Sequence, residues 1–117
     1  MFRFTEADGL RSSDGSTDAH VERLERLAAD ILALRDGRLP MSEALAGAPF
    51  LEGWIEAATP MPCLVGRVTG HPRLVGAGRP IATSDLWVDA RELGWIRTLS
   101  RFYRLGRPRE PIRGVFG

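Results

Sequence analysis

The chain has 117 residues, 44% apolar and 26% charged, enough for one globular core that needs no staples. No apolar run approaches the length of a membrane span, the opening Met1-Phe2-Arg3-Phe4-Thr5-Glu6 has no signal core, and the single Cys63 excludes an internal disulfide, so a cytoplasmic protein without membrane residence is expected. The formal charge of +1 hides an asymmetry: residues 1–59 carry 6 Arg against 11 acids, whereas residues 60–117 carry 10 Arg against 4 acids.

Residues 1–16 mix Gly9, Gly15, Ser12, Ser13, Ser16 and several acids without periodicity, which predicts a mobile N-terminal arm. From Thr17 or Asp18, either able to cap a helix start, apolar residues recur at Val21, Leu24, Leu27, Ala28, Ile31 and Leu34, the spacing of one helical face. Glu22 precedes Arg26 by four residues, the favourable order for a helix-surface pair, and Gly37 is placed to stop the helix. After Leu39-Pro40, Ser42 opens a short helical turn through Leu45, closed by Gly47 and Pro49.

A second turn over Phe50 to Ala57 would set Phe50 above Trp54 and Leu51 above Ile55, all four as core anchors. Thr59-Pro60-Met61-Pro62 reads as a stiff extended connector. Beyond it come short segments of strand character: Cys63 to Thr69, Arg73 to Val75, Ile81 to Val88, Trp95 to Leu99 and Phe102 to Leu105. The breaks at Gly70-His71-Pro72, Gly76-Ala77-Gly78 and Ala90 to Gly94 fall at hairpin distances. Residues 95–105 also fit helical spacing, but their β-branched and aromatic content favours two strands around Ser100.

The expected fold is α+β: an N-terminal amphipathic helix and short helical turns packed on a small antiparallel β-meander or barrel-like sheet. Its boundaries are a mobile arm at 1–16, a single domain at 17–106 and a basic C-terminal tail at 107–117.

The segments Gly66-Arg67-Val68-Thr69-Gly70-His71-Pro72-Arg73-Leu74, Ile81-Ala82-Thr83-Ser84-Asp85-Leu86-Trp87 and Gly94-Trp95-Ile96-Arg97-Thr98, continued by Ser100-Arg101-Phe102-Tyr103-Arg104-Leu105-Gly106, resemble a family of short bacterial proteins known only as a domain of unknown function. The resemblance spans about Leu39 to Gly106. It implies a bacterial or mobile-element source and carries no activity.

No residue set points to catalysis. Cys63 and His71, with Asp85 as a conceivable orienting carboxylate, lack a nucleophile signature, and they read as a buried strand cysteine and a turn histidine. Cys63, His71 and His20 lack the paired spacing of a zinc site, so neither a metal nor another cofactor is expected. Gly76-Ala77-Gly78-Arg79 lacks the Lys-Ser/Thr ending of a phosphate loop and reads as a tight turn. Trp54 and Trp87 read as core residues.

What remains is the basic C-terminal segment. Seven of the sixteen arginines lie between Arg91 and Arg113, and the chain has no lysine, so position is more informative than the choice of arginine. Arg97, Arg101, Arg104, Arg107 and Arg109, with Trp95 and Tyr103, form the candidate surface, since guanidinium groups hold phosphates and flat rings stack on bases. Two partners fit it: nucleic acid, or an acidic protein surface contacted by a docking module or inhibitor. The competing reading is an ordinary surface on which Asp85, Asp89, Glu92, Glu110 or the acidic helix neutralise these arginines.

Overall fold

The computed structural model describes residues 1–38 and 41–109, so the expected stop at Leu39-Pro40 and the tail beyond Arg109, including Glu110 and Arg113, lie outside the described residues. The described chain divides into two compact units, one made of Asp14–Pro60 and one made of Met1–Ser13 with residues 61–109. The fold is α+β and mostly β, with one main helix.

In the Asp14–Pro60 unit, α1 spans Thr17–Arg35. Its N-cap is Ser16 rather than Thr17 or Asp18: the Ser16 hydroxyl accepts the Ala19 N–H at 3.4 Å, satisfying one of the free donors of the first turn. At the other end the Gly37 N–H reaches Leu34 O and the Arg38 N–H reaches Ala33 O, a left-handed closure that the φ of 65° at Gly37 permits. Glu22 and Arg26 form the expected surface pair. A short α2 follows at Met41–Ala46, as the Ser42 to Leu45 turn anticipated.

Residues 50–57 form no helix. Gly53 takes a φ of 60° in the middle of the segment, which breaks the helical path, and Phe50, Leu51, Trp54 and Ile55 are 73% to 87% exposed rather than anchored in a core. The apolar stripe of α1 is also largely at the surface, and His20 is the buried residue of that helix.

The other unit contains a five-stranded sheet ordered β2-β1-β5-β6-β7, where β1 is Phe2–Thr5, β2 Gly9–Ser12, β5 Leu86–Ala90, β6 Trp95–Thr98 and β7 Phe102–Arg104. A separate hairpin pairs β3 (Val65–Val68) with β4 (Arg79–Ala82). The sheet is antiparallel apart from the parallel pairing of β1 with β5.

The segment expected as a mobile arm is thus a hairpin within the sheet, with Phe4 opposite Leu10 and Thr5 opposite Gly9. A three-residue loop joins its strands: Thr5 Oγ1 accepts the Asp8 N–H at 3.1 Å and Gly9 takes a φ of 66°. Ile81 to Val88, expected as one strand, splits into β4 and β5, because the Thr83 N–H bonds to Leu64 O and the Leu86 N–H to Pro62 O. Residues 73–75 form no strand. Between β5 and β6 a 3-10 turn, Arg91–Leu93, closes on Gly94 at a φ of 85°.

Strands β6 and β7 settle the ambiguity of residues 95–105 as a hairpin. The core lies on the central strands, where Phe2, Leu86, Ala90 and Ile96 are buried together with Asp89 and Thr98.

Candidate nucleic-acid interface

Side chains directly opposite one another on paired strands share a face, so the register assigns every strand residue to a side. Trp95 faces Arg104, Arg97 faces Phe102, Ala90 faces Trp95, and Val88 faces both Arg97 and Phe2. Following the alternation, Phe4 and Leu10 join this side through Phe2. One face of the sheet therefore gathers Phe4, Trp95 and Phe102 with Arg97 and Arg104.

The rings touch in sequence. Phe4 and Trp95 have centroids 5.7 Å apart, and Trp95 meets Phe102 edge-on at 5.6 Å. The Arg97 guanidinium carbon sits 5.2 Å from the Phe102 centroid, a cation–π contact that holds the charge beside the ring. Phe102 is 68% exposed, leaving ring area for a ligand. No strand position on this face carries an acidic residue.

Two of the candidate residues lie elsewhere. Tyr103 pairs with Ile96 and so projects to the opposite face, away from Trp95. Arg101 belongs to the β6–β7 turn organised by the buried Thr98: the Thr98 N–H donates to Arg101 O at 2.8 Å, and Thr98 Oγ1 accepts the Ser100 and Arg101 N–H groups at 3.2 Å. Its charge, after burial, helps lower the His71 pKa. Arg107 and Arg109 follow β7 and are exposed. Phe4 and Phe102 were absent from the candidate set; the alternation of Phe2 with Phe4, and of Phe102 with Arg104, is the signal that places them.

Internal neutralisation does not account for the basic segment among the described residues. Asp89, almost fully buried, is held by Arg91, whose Nη2 lies 2.8 Å from Oδ2. Burial alone would raise the Asp89 pKa, but hydrogen bonds from the Arg91 side chain and backbone N–H, with the charges of Arg91 and Arg3, hold it below the ordinary carboxylate value. Among the described residues none of Arg97, Arg101, Arg104, Arg107 and Arg109 has a carboxylate at ion-pair distance.

The remaining chemical candidates do not converge. Cys63 is exposed, against the expected burial, since it precedes β3 instead of lying within it. His71 Nδ1 accepts the N–H groups of Arg73 at 3.0 Å and Leu74 at 3.2 Å, so the imidazole is spent on a turn. Gly76 and Gly78 take φ values of 109° and 68° in the loop between β3 and β4, and the Gly78 N–H donates to Thr69 Oγ1, which makes the loop a hairpin connection. Trp54 is exposed and Trp87 half-buried at the irregularity of β5. A recess of about 220 Å³ lined by Arg3, Phe4, Thr5, Asp89, Arg91 and Glu92 has its one buried carboxylate committed to Arg91. Among the described residues no three His, Cys, Asp or Glu side chains gather at metal-binding distance, and no helix is long and apolar enough to cross a membrane.

No curated protein and no solved structure is significantly similar to the chain. A family defined by sequence does match, over most of α1 and on through residue 114, including β5, β6 and β7, but not the β1–β2 hairpin that supplies Phe4. The chain belongs to the family of unknown function DUF6634, whose sequence model matches residues 20–114.

Proposed function

We propose that this protein is a non-enzymatic, cytoplasmic binding protein whose Arg/aromatic sheet face takes single-stranded nucleic acid. The observation that carries the reading is the shared face of Trp95, Arg97, Phe102 and Arg104 without an acidic strand residue. Arg97 and Arg104 would neutralise phosphates while the exposed ring of Phe102, buttressed by Trp95, stacks on bases, a combination that tolerates any sequence because every base has a π-face. A sheet face with the Phe102 ring exposed suits splayed bases; it offers no helix for a duplex groove. Arg107 and Arg109 would extend the path along the backbone.

The test is fluorescence anisotropy of a labelled oligothymidine with the full chain. Binding is expected at low salt with a steep fall as salt rises, and Phe102→Ala should weaken it by about tenfold or more, the weight of one stacked base. Absence of binding at low salt, or binding indifferent to Phe102→Ala, would overturn the proposal.

A second reading, a module that docks on another protein, is favoured by the exposure of Phe50, Leu51, Trp54 and Ile55. These side chains are flanked by Glu52 and Glu56, which suits an apolar groove rimmed by basic residues. In that case binding should depend on Trp54 and little on ionic strength.

A further inference from the structure

The apolar stripe along α1 also fits a heptad, and most of it lies at the surface. Leu24, Leu27, Ile31 and Leu34 alternate three and four residues apart, the a and d positions of a heptad. Leu27, Ile31 and Leu34 are each more than half exposed, at 56%, 55% and 52%. Three consecutive seam positions left in water on a capped helix of 19 residues call for a partner of the same geometry.

We propose that the partner is α1 of a second copy of this chain, paired in parallel. Charge decides both the occupant and the direction. In the register set by the stripe, Asp30 falls at g and Arg35 at e, the positions that meet across a parallel two-helix seam when they are five residues apart. Asp30 has no cation at ion-pair distance among the described residues. Arg35 engages Asp36 through Nε and Nη2, which leaves Nη1 to reach outward. Two symmetry-related Asp30–Arg35 pairs would then flank the Ile31 and Leu34 layers. The antiparallel alternative, with Leu27 packed on Ile31 of the second copy, sets Asp30 against Asp30 and loses both pairs. A seam of this length is too short to hold two isolated helices together, so the pairing belongs to the folded chain, and it stands independently of the ligand proposed for the sheet face.

Sedimentation velocity of the full chain from micromolar to submillimolar concentration tests it. A reversible dimer is expected, weakened by about tenfold in Asp30→Arg, which puts like charges across the seam, and restored in the double variant Asp30→Arg/Arg35→Asp. These exchanges are on exposed positions and leave the helix intact by circular dichroism. Leu27→Cys in a Cys63→Ser chain should form an intermolecular disulfide on oxidation, because equivalent d positions adjoin only in the parallel arrangement. A monomer throughout, which would mean that another protein or the chain itself covers the stripe, overturns the proposal. So does a dimer that ignores both charge variants, or a Leu27→Cys chain that fails to cross-link while dimeric.

Discussion

Ala90 stands opposite Trp95 on the β5–β6 ladder, and because its side chain ends at Cβ the indole can reach across it to Phe4, 5.7 Å away on the far side of β5. Ala90 is itself buried beneath those rings. A larger residue there should force the two rings apart and overpack the centre of the sheet. Ala90→Leu is expected to lower stability by about 1–3 kcal/mol, measured by urea unfolding at pH 7, and to weaken oligonucleotide binding in the fraction that remains folded. A variant as stable as the wild type would show that Ala90 does not set the spacing of the aromatic row.

Asp89 ties the start of the 3-10 turn to the end of β5. Its carboxylate accepts the Arg91 N–H at 3.1 Å and the Arg91 Nε at 2.9 Å while almost fully enclosed, so Asp89→Ala strands a backbone donor and an arginine together. The expected cost is about 2–3 kcal/mol, moderated because the Arg91 side chain is mostly exposed and can rehydrate.

The same group sets a pH dependence. With its folded pKa depressed, Asp89 contributes stability that is fully present above the pKa of the unfolded carboxyl and lost as pH falls through the lower folded value. Chemical unfolding as a function of pH should show this acid-side loss in the wild type and a shallower one in Asp89→Ala.

His71 gives a second titration in a different window. Partial burial, then the like charges of Arg101 and Arg73, lower its pKa below the ordinary imidazole value, and the neutral ring uses Nδ1 to accept two backbone N–H groups. Stability from this turn is complete above the pKa of an unfolded histidine and is lost as pH drops through the folded one. An NMR titration of the His71 ring protons should show a midpoint below that of the urea-unfolded chain. Removing the Arg101 charge with Arg101→Gln should move that midpoint upward; a midpoint at or above the unfolded value would contradict the turn geometry.

The parts of the fold that were legible are those whose signal is local. The α1 stripe, the Gly37 stop and the Ser42 turn follow from periodicity and capping, and all three are present. The hairpin of residues 95–105 was decided correctly by its aromatic and β-branched content. The N-terminal hairpin was missed because Gly9 and the serines around it suggest disorder when read by composition. The alternation of Phe2 with Phe4 and the Asp8-Gly9 turn pair carried the opposite message. Its partner strand, β5, lies more than eighty residues further along the chain, and no local rule reports a parallel pairing of that span.

Which of the candidate residues share a face was only partly legible in the sequence, for one reason. Charge clustering along the sequence does not separate two faces of a strand, whereas pairing does. Trp95, Arg97 and Arg104 come together because the register makes them neighbours, and the same register sends Tyr103 to the other side. Arg101 is drawn off by the turn at Thr98, and Phe50 to Ile55 have helical spacing but contain Gly53 in a left-handed conformation.

The most direct measurement is the affinity of a single-stranded oligonucleotide for two variants of matched stability: Arg97→Gln/Arg104→Gln, which strips the aromatic face of charge, and Arg101→Gln, which removes a cation from the turn. A marked loss and a salt slope shallower by about two are expected in the first, with a much smaller change in the second. Equal losses, scaling only with net charge, or full affinity in the double variant would contradict it.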